Sequence, residues 1–241
     1  TTQNILTGLL QLQQGKYTIN GNPVNFKKRD YFNKIGVSFE HPNVYKKLTG
    51  IENLEFHSGM YDSKTEDPMN LLRMVGLKDA AKKKASDYSK GMLQRLVFAR
   101  SMINSPEIWF LDEPTSGLDP TTASKIKEII KTKKEKGTTI FLTTHNMFIA
   151  EELCDKVAFI NEGELNVIDT PKNLKLKYGK KLVTVEYYEG NKIISSTLSM
   201  EDQVERSKLN EVINNGNIVT MHSQEATLEQ IFIKVTGRGL E

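Results

Sequence analysis

The 241-residue sequence predicts an α/β fold built on a parallel sheet. Three observations predict it. Ile108-Trp109-Phe110-Leu111 is an apolar run without a charge that reads as a buried strand, and it leads straight into Asp112 and Glu113. Asp119-Pro120 then supplies a helix N-cap and a first-turn proline, and Ile126, Ile129 and Ile130 recur at helical spacing until Gly137. A second strand run, Thr138-Thr139-Ile140-Phe141-Leu142-Thr143-Thr144, follows and ends on His145. Strand, helix and strand in this order form a βαβ unit, whose crossover sets both strands parallel in one sheet. Open parallel sheets bind ligands beyond the carboxyl ends of their strands, which is where Asp112 and Glu113 stand.

The remaining elements are taken in chain order. Gly15 to Val24 reads as a strand pair around the turn Asn20-Gly21-Asn22. The block from about residue 48 to 102 is helical, with Glu52, Leu54 and Phe56 early and Leu96, Phe98 and Ala99 late, and reads as a helical insert. Within it, Tyr88-Ser89-Lys90-Gly91-Met92-Leu93-Gln94-Arg95-Leu96 opens a helix that Ser89 can cap, and the N–H groups around Gly91 and Met92 form an anion site. After His145 come a short helix through Glu151 and Leu153, a strand over Lys156-Val157-Ala158-Phe159-Ile160, and the turn Asn161-Glu162-Gly163. From Lys181 the character changes to strands at Leu182 to Tyr187 and Ile193-Ile194, then a helix from Val204 to Ile213. The organisation expected is a main domain over 1–180 and a small α+β extension over 181–241.

Composition narrows the function classes. Hydrophobic residues are 38% and charged residues 26%, as in a globular rather than a disordered chain. No apolar run approaches the roughly 18 residues that a membrane-crossing helix needs. The single cysteine, Cys154, excludes a disulfide framework, favours a reducing cytoplasm and suits core packing. A net charge of +3 is too balanced to argue for a nucleic-acid partner. Lys82-Lys83-Lys84 reads as a solvated helix face, His57 as a helix-surface residue, and His41 and His222 lack acidic or metal-ligand company.

At the strand end, one acid can hold a Mg²⁺ water shell while its neighbour polarises an attacking water, the division of labour that nucleoside-triphosphate hydrolysis requires. Taken in order, Tyr88-Ser89-Lys90-Gly91-Met92, Asp112-Glu113, Ser116-Gly117-Leu118-Asp119 and His145 resemble the ATP-binding subunits of ABC transporters along almost the whole chain. The resemblance implies a P-loop NTPase-like core, ATP and Mg²⁺, and a head-to-tail dimer with a second ATPase subunit. In that arrangement Ser89, Lys90, Gly91 and Met92 of one subunit close on the ATP held by the other. Asp112 would take the Mg²⁺ shell, Glu113 the attacking water, His145 the γ-phosphate, and Asp119 the route between the sites. The resemblance also implies a transmembrane permease partner and a peripheral place on the cytoplasmic face of the membrane. The partner's cytoplasmic helix would then meet residues near Glu40 to Leu48. The tail from Ala226 to Arg238 resembles the end of drug- and antibiotic-exporting members, and reads independently as an amphipathic closing helix.

Two departures from that pattern stand out. Glu40, in Lys34-Ile35-Gly36-Val37-Ser38-Phe39-Glu40-His41-Pro42, occupies a position where the family usually has a Mg²⁺-sensing glutamine; its carboxylate can still ligate the ion and resembles exporters of lantibiotic-type peptides. The second is the phosphate loop, Gly-x-x-x-x-Gly-Lys followed by Ser or Thr: neither Gly15-Lys16-Tyr17 nor Gly179-Lys180-Lys181 qualifies. Thr1 to Leu10 instead resembles the helix that follows that loop, with Thr1 and Thr2 able to touch the inner phosphates. These 241 residues alone are therefore expected to bind ATP poorly and hydrolyse it negligibly. Two rival readings follow: a non-hydrolysing regulatory or structural module with the same fold, and a nucleic-acid-associated ATPase of this class. The second usually carries tandem domains or a long coiled coil, which this length does not hold.

Overall fold

The computed structural model describes residues 1–24 and 29–237. Contacts divide the chain into two compact units, Thr1–Thr144 and His145–Glu241.

The first unit is organised by a three-stranded parallel sheet of β3 (Ile35–Ser38), β4 (Ile108–Asp112) and β5 (Thr139–Thr143), with β4 central. The register pairs Ser38 with Leu111 and Asp112 with Thr143, so all three strands finish at one edge. The buried run Ile108 to Leu111 is the middle of this sheet, as its lack of charge predicts. Strand β3 is short and contains a glycine, and it packs close to the helix that precedes β4. A Cβ on Gly36 would sit 2.1 Å from the Ser101 carbonyl oxygen, so only glycine fits there.

Helix α1 (Thr2–Leu6) opens the unit, and β1 (Thr18–Ile19) pairs antiparallel with β2 (Asn22–Pro23) through a turn with positive φ at Asn20 and Gly21. Helix α2 (Arg29–Lys34) leads into β3. Between β3 and β4 lie α3 (Gly50–Ser58), α4 (Pro68–Met74), two 3-10 turns and α5 (Lys90–Arg100), with no named strand, so the helical insert is present. Thr49 and Glu52 close a capping box on α3, and Asp67 caps α4. Leu54, Leu71, Leu72, Leu96 and Phe98 are at most 1% exposed and form the insert's interior. Trp109 is fully buried beside Phe98, with ring centroids 5.0 Å apart, and its indole N–H donates to Ser101 Oγ over 2.8 Å. Helix α6 (Pro120–Glu135) joins β4 to β5, burying Ile126 and Ile130.

In the second unit, α7 (Met147–Leu153) precedes β6 (Val157–Asn161), which pairs antiparallel with β7 (Glu164–Asp169). The strand–helix alternation of the sequence therefore ends in a hairpin here, because Glu162 and Gly163 both adopt positive φ and reverse the chain within two residues. Helix α8 (Pro171–Tyr178) follows, and then β8 (Leu182–Glu189), β9 (Lys192–Ser199) and, after α9 (Gln203–Asn214), β10 (Ile218–Gln224). These form an antiparallel sheet in the order β10-β8-β9, with Val185 and Leu198 packed against Leu209 and Val212 of α9. The closing helix α10 (Leu228–Thr236) does not join that core. Its Leu228, Ile231 and Phe232 pack with Phe159 of β6 and Leu174 of α8. Cys154, at the end of α7, packs against the same cluster, as expected. Arg238, the end of the tail motif, lies outside the described residues.

Candidate functional site

The shared edge of β4 and β5 brings together Asp112 and Glu113 with Thr143 and Thr144. Glu113 turns the chain out of β4 at φ +45°, a left-handed conformation that a non-glycine residue holds only under constraint. The constraints are visible. Its N–H donates to the Thr143 carbonyl over 3.0 Å, its carbonyl accepts from the Ser116 N–H over 3.1 Å, and its carboxylate accepts from the Thr144 hydroxyl over 3.0 Å. Asp112 accepts from the Thr143 hydroxyl, which is also 3.0 Å from Gln3 Oε1. Through Gln3 the first helix, which begins at Thr2 with Thr1 as its N-cap, reaches this edge.

Glu40 follows β3 and is exposed, 3.9 Å from the His41 ring nitrogen. Its segment is held from α5 at both ends. Gln94 Nε2 donates to the Phe39 carbonyl over 3.5 Å, and the Arg100 guanidinium donates to the Asn43 carbonyl over 2.6 Å and to its side-chain oxygen. Arg100 is 8% exposed and also contacts His57 Nε2 at 3.3 Å. His57 is thus not the surface residue its sequence suggests. It is half-buried, and desolvation followed by the Arg100 charge lowers its pKa to about 4. Phe39, Asn43, Tyr45, His57, Tyr61 and Arg100 line part of a groove of about 540 Å³.

A second set gathers at the start of α5. Ser89 caps the helix by accepting the Met92 N–H over 3.2 Å, so that N–H, read from sequence as open to an anion, is engaged. The N–H groups of Lys90 and Gly91, in the first turn, remain without a partner among the described residues. The loop after Glu113 lies against this turn: a Cβ on Gly91 would be 3.7 Å from Leu118, and one on Gly117 3.7 Å from the Lys90 side chain. Asp119 caps α6, and the Thr122 hydroxyl and N–H hold its carboxyl below the usual range. His145 is exposed and opens the second unit, one residue after Thr144.

Gln3, Thr143, Thr144, Gln94 and Arg100 were not singled out in the sequence. The one signal available was polarity at positions where a helix or strand faces inward, and it shows only once the partners are in place.

A parallel sheet with paired acids at its carboxyl edge, a helical insert and a capped helix start with open N–H groups are the features of a nucleotide-binding α/β domain. The ABC transporter family profile matches residues 1–116. A fluoroquinolones export ATP-binding protein of Mycobacterium tuberculosis is 48% identical over 242 residues, which is 100% of this chain and 80% of that protein. A lantibiotic transport ATP-binding protein of Streptococcus pyogenes is 38% identical over 165 residues, 68% of this chain and 71% of that protein. A solved dimeric ATP-binding cassette in a post-hydrolysis state, bound to ADP and Pi, superposes with a TM-score of 0.62 at 27% identity, over 70% of this chain and 78% of that one. The chain belongs to the ATP-binding proteins of ABC transporters, with the P-loop NTPase-like α/β fold of that family. Among the described residues, no helix is long and apolar enough to cross a membrane.

Proposed function

We propose that this chain is the ATP-hydrolysing subunit of an ABC exporter, working peripherally at the cytoplasmic face of a membrane through a membrane-spanning partner. The observation that carries the proposal is Glu113, held at φ +45° by Thr143 and Thr144 beside Asp112 at the edge where the parallel strands end. Such a carboxylate can polarise an attacking water without moving, which suits a reaction whose catalysis is mostly positioning and electrostatics. Asp112 and Glu40 offer hard oxygen donors that suit Mg²⁺, which takes one or two carboxylates beside waters and phosphates. When bound, the ion neutralises charge on the phosphates.

In this reading Thr1 and Thr2 touch the inner phosphates and His145 contacts the γ-phosphate. Ser89, with the N–H groups of Lys90 and Gly91, grips the ATP of a second copy in a head-to-tail dimer. The Met92 N–H supports that grip by holding the Ser89 hydroxyl in place. Asp119, on the loop that abuts Gly91, links the two sites. The solved relative is dimeric and ADP-bound, which supports both the nucleotide and the assembly. The groove beside Asn43 and Tyr45 receives the cytoplasmic helix of the permease, with Glu40 to Leu48 as contact surface. The names of the relatives point to export of fluoroquinolone-like drugs or lantibiotic-type peptides as the transport class. The ATPase portion runs over 1–180, with 181–241 as an extension whose last helix packs back onto β6 and α8. These 241 residues contain no Gly-x-x-x-x-Gly-Lys-Ser/Thr run, so on their own they bind ATP weakly.

The test is ATP hydrolysis by the full-length gene product and its Asp112→Asn variant. Mg²⁺-dependent turnover that the substitution abolishes supports the proposal. Absence of turnover in the wild-type protein assembled with its membrane partner, or normal turnover in the variant, overturns it.

A further inference from the structure

At the edge of β4 a single hydroxyl faces three acceptors. Thr143 Oγ1 contacts Asp112 Oδ1 and lies 3.0 Å from Gln3 Oε1 and 3.3 Å from the Leu111 carbonyl. Threonine has one proton to donate, and an ionised carboxylate is the strongest of the three acceptors. With that proton on the bond to Asp112, Gln3 Oε1 faces the Thr143 oxygen with nothing between them. Gln3 is meanwhile 4% exposed, and its Nε2 has no partner among the described residues. Turning the carboxamide half a revolution about its last bond removes the oxygen–oxygen contact and gives Nε2 an acceptor, leaving Oε1 as the amide atom without a partner among the described residues. Nε2 then donates to Thr143 Oγ1, which donates to Asp112.

We propose that Gln3 and Thr143 are positioning residues: a buried donor relay, Gln3 to Thr143 to Asp112, that occupies one carboxylate oxygen and orients the other. The inference rests on the reading of Asp112 as the carboxylate that serves the Mg²⁺ shell. Partners of this kind fix the direction of a metal-serving carboxylate, and their loss weakens metal use without removing the ligand itself. The relay also ties α1, the helix that starts at Thr2, to the ends of β4 and β5. An apolar residue at position 3 would fill the same space but leave Thr143 with no donor behind it.

The experiment uses the full-length gene product with Thr143→Val, Thr143→Ser and Gln3→Met, the double variant Gln3→Met/Thr143→Val, and Asp112→Asn. Thr143→Val and Gln3→Met each raise the Mg²⁺ concentration for half-maximal ATP hydrolysis by on the order of tenfold, and Thr143→Ser restores the wild-type requirement. In metal-free protein followed by thermal unfolding, the two single substitutions combine non-additively, the double variant melting close to the weaker single one. Additive melting shifts together with a wild-type Mg²⁺ requirement overturn the relay. So does a Thr143→Ser variant as impaired as Thr143→Val, since serine keeps the hydroxyl and loses only a methyl. If Asp112→Asn abolishes hydrolysis while Thr143→Val leaves the Mg²⁺ requirement unchanged, the relay alone fails. If Asp112→Asn hydrolyses normally, the reading beneath it fails.

Discussion

Replacing Arg100 with methionine keeps most of the aliphatic stem and removes a buried positive charge that holds the segment after Glu40. The substitution deletes the charge-assisted bonds to the Asn43 carbonyl and side-chain oxygen and the contact with His57. Hydrogen bonds to a charged group contribute about 1.5–3 kcal/mol each, and against them stands the several kcal/mol that burying a guanidinium costs. The expected net loss is about 2 kcal/mol, or about 5 °C in melting temperature for a chain of this size. A second readout is specific to the contact. Desolvation, the larger cause, keeps His57 below its ordinary 6.5, and Arg100 adds to the depression that leaves it at about 4. Removing the charge raises the His57 pKa only part of the way. Because folding favours neutral His57, its contribution is fully present above pH 6.5 and is lost as pH falls through about 4. The loss amounts to about 1–2 kcal/mol once the solvent-open part of the ring is discounted. Urea unfolding between pH 4 and 7, with a histidine NMR titration, measures both effects. An unchanged unfolding midpoint with an unmoved His57 titration would refute this account of the segment.

Other outcomes follow from the same geometry. Ser101→Ala strands the buried Trp109 indole N–H and lowers stability by about 1–3 kcal/mol, read directly from the fluorescence of the single tryptophan during urea unfolding; an unshifted midpoint counts against it. Charge reversal at Lys46 or Lys47 in the full-length protein weakens co-purification with the membrane subunit while ATP binding persists. Recovery of the partner at wild-type yield removes that surface from the proposed interface.

Much of the architecture was legible because its signals are local. The uncharged run from Ile108, the Asp119 cap with Pro120, and the spacing of Ile126 and Ile130 define β4, α6 and the approach to β5 within a few residues of one another. The same holds for Ser89, whose cap on α5 depends only on its own first turn. What stayed hidden depends on distant partners or on a turn. Strand β6 has the composition of another sheet strand, and only the Glu162-Gly163 reversal commits it to a hairpin with β7. Helix α10 reads as amphipathic, but its sequence does not say that its apolar face meets Phe159 and Leu174 rather than the adjacent β8-β9-β10 sheet. His57 looked like a surface residue because Arg100, which helps to bury and neutralise it, lies 43 positions away. Gln3 is a polar residue in a short first helix, and its connection to Asp112 runs through a threonine 140 positions later.

The measurement closest to the central claim is ATP turnover and ATP-dependent dimerisation of the full-length protein carrying Glu113→Gln. The substitution keeps the size of the side chain and an oxygen that can accept from Thr144, and removes only the charge that polarises water. Turnover should fall to background while ATP binding persists and a nucleotide-bound dimer accumulates. Turnover at the wild-type rate would contradict the assignment of Glu113, and with it the function built on the edge of β4.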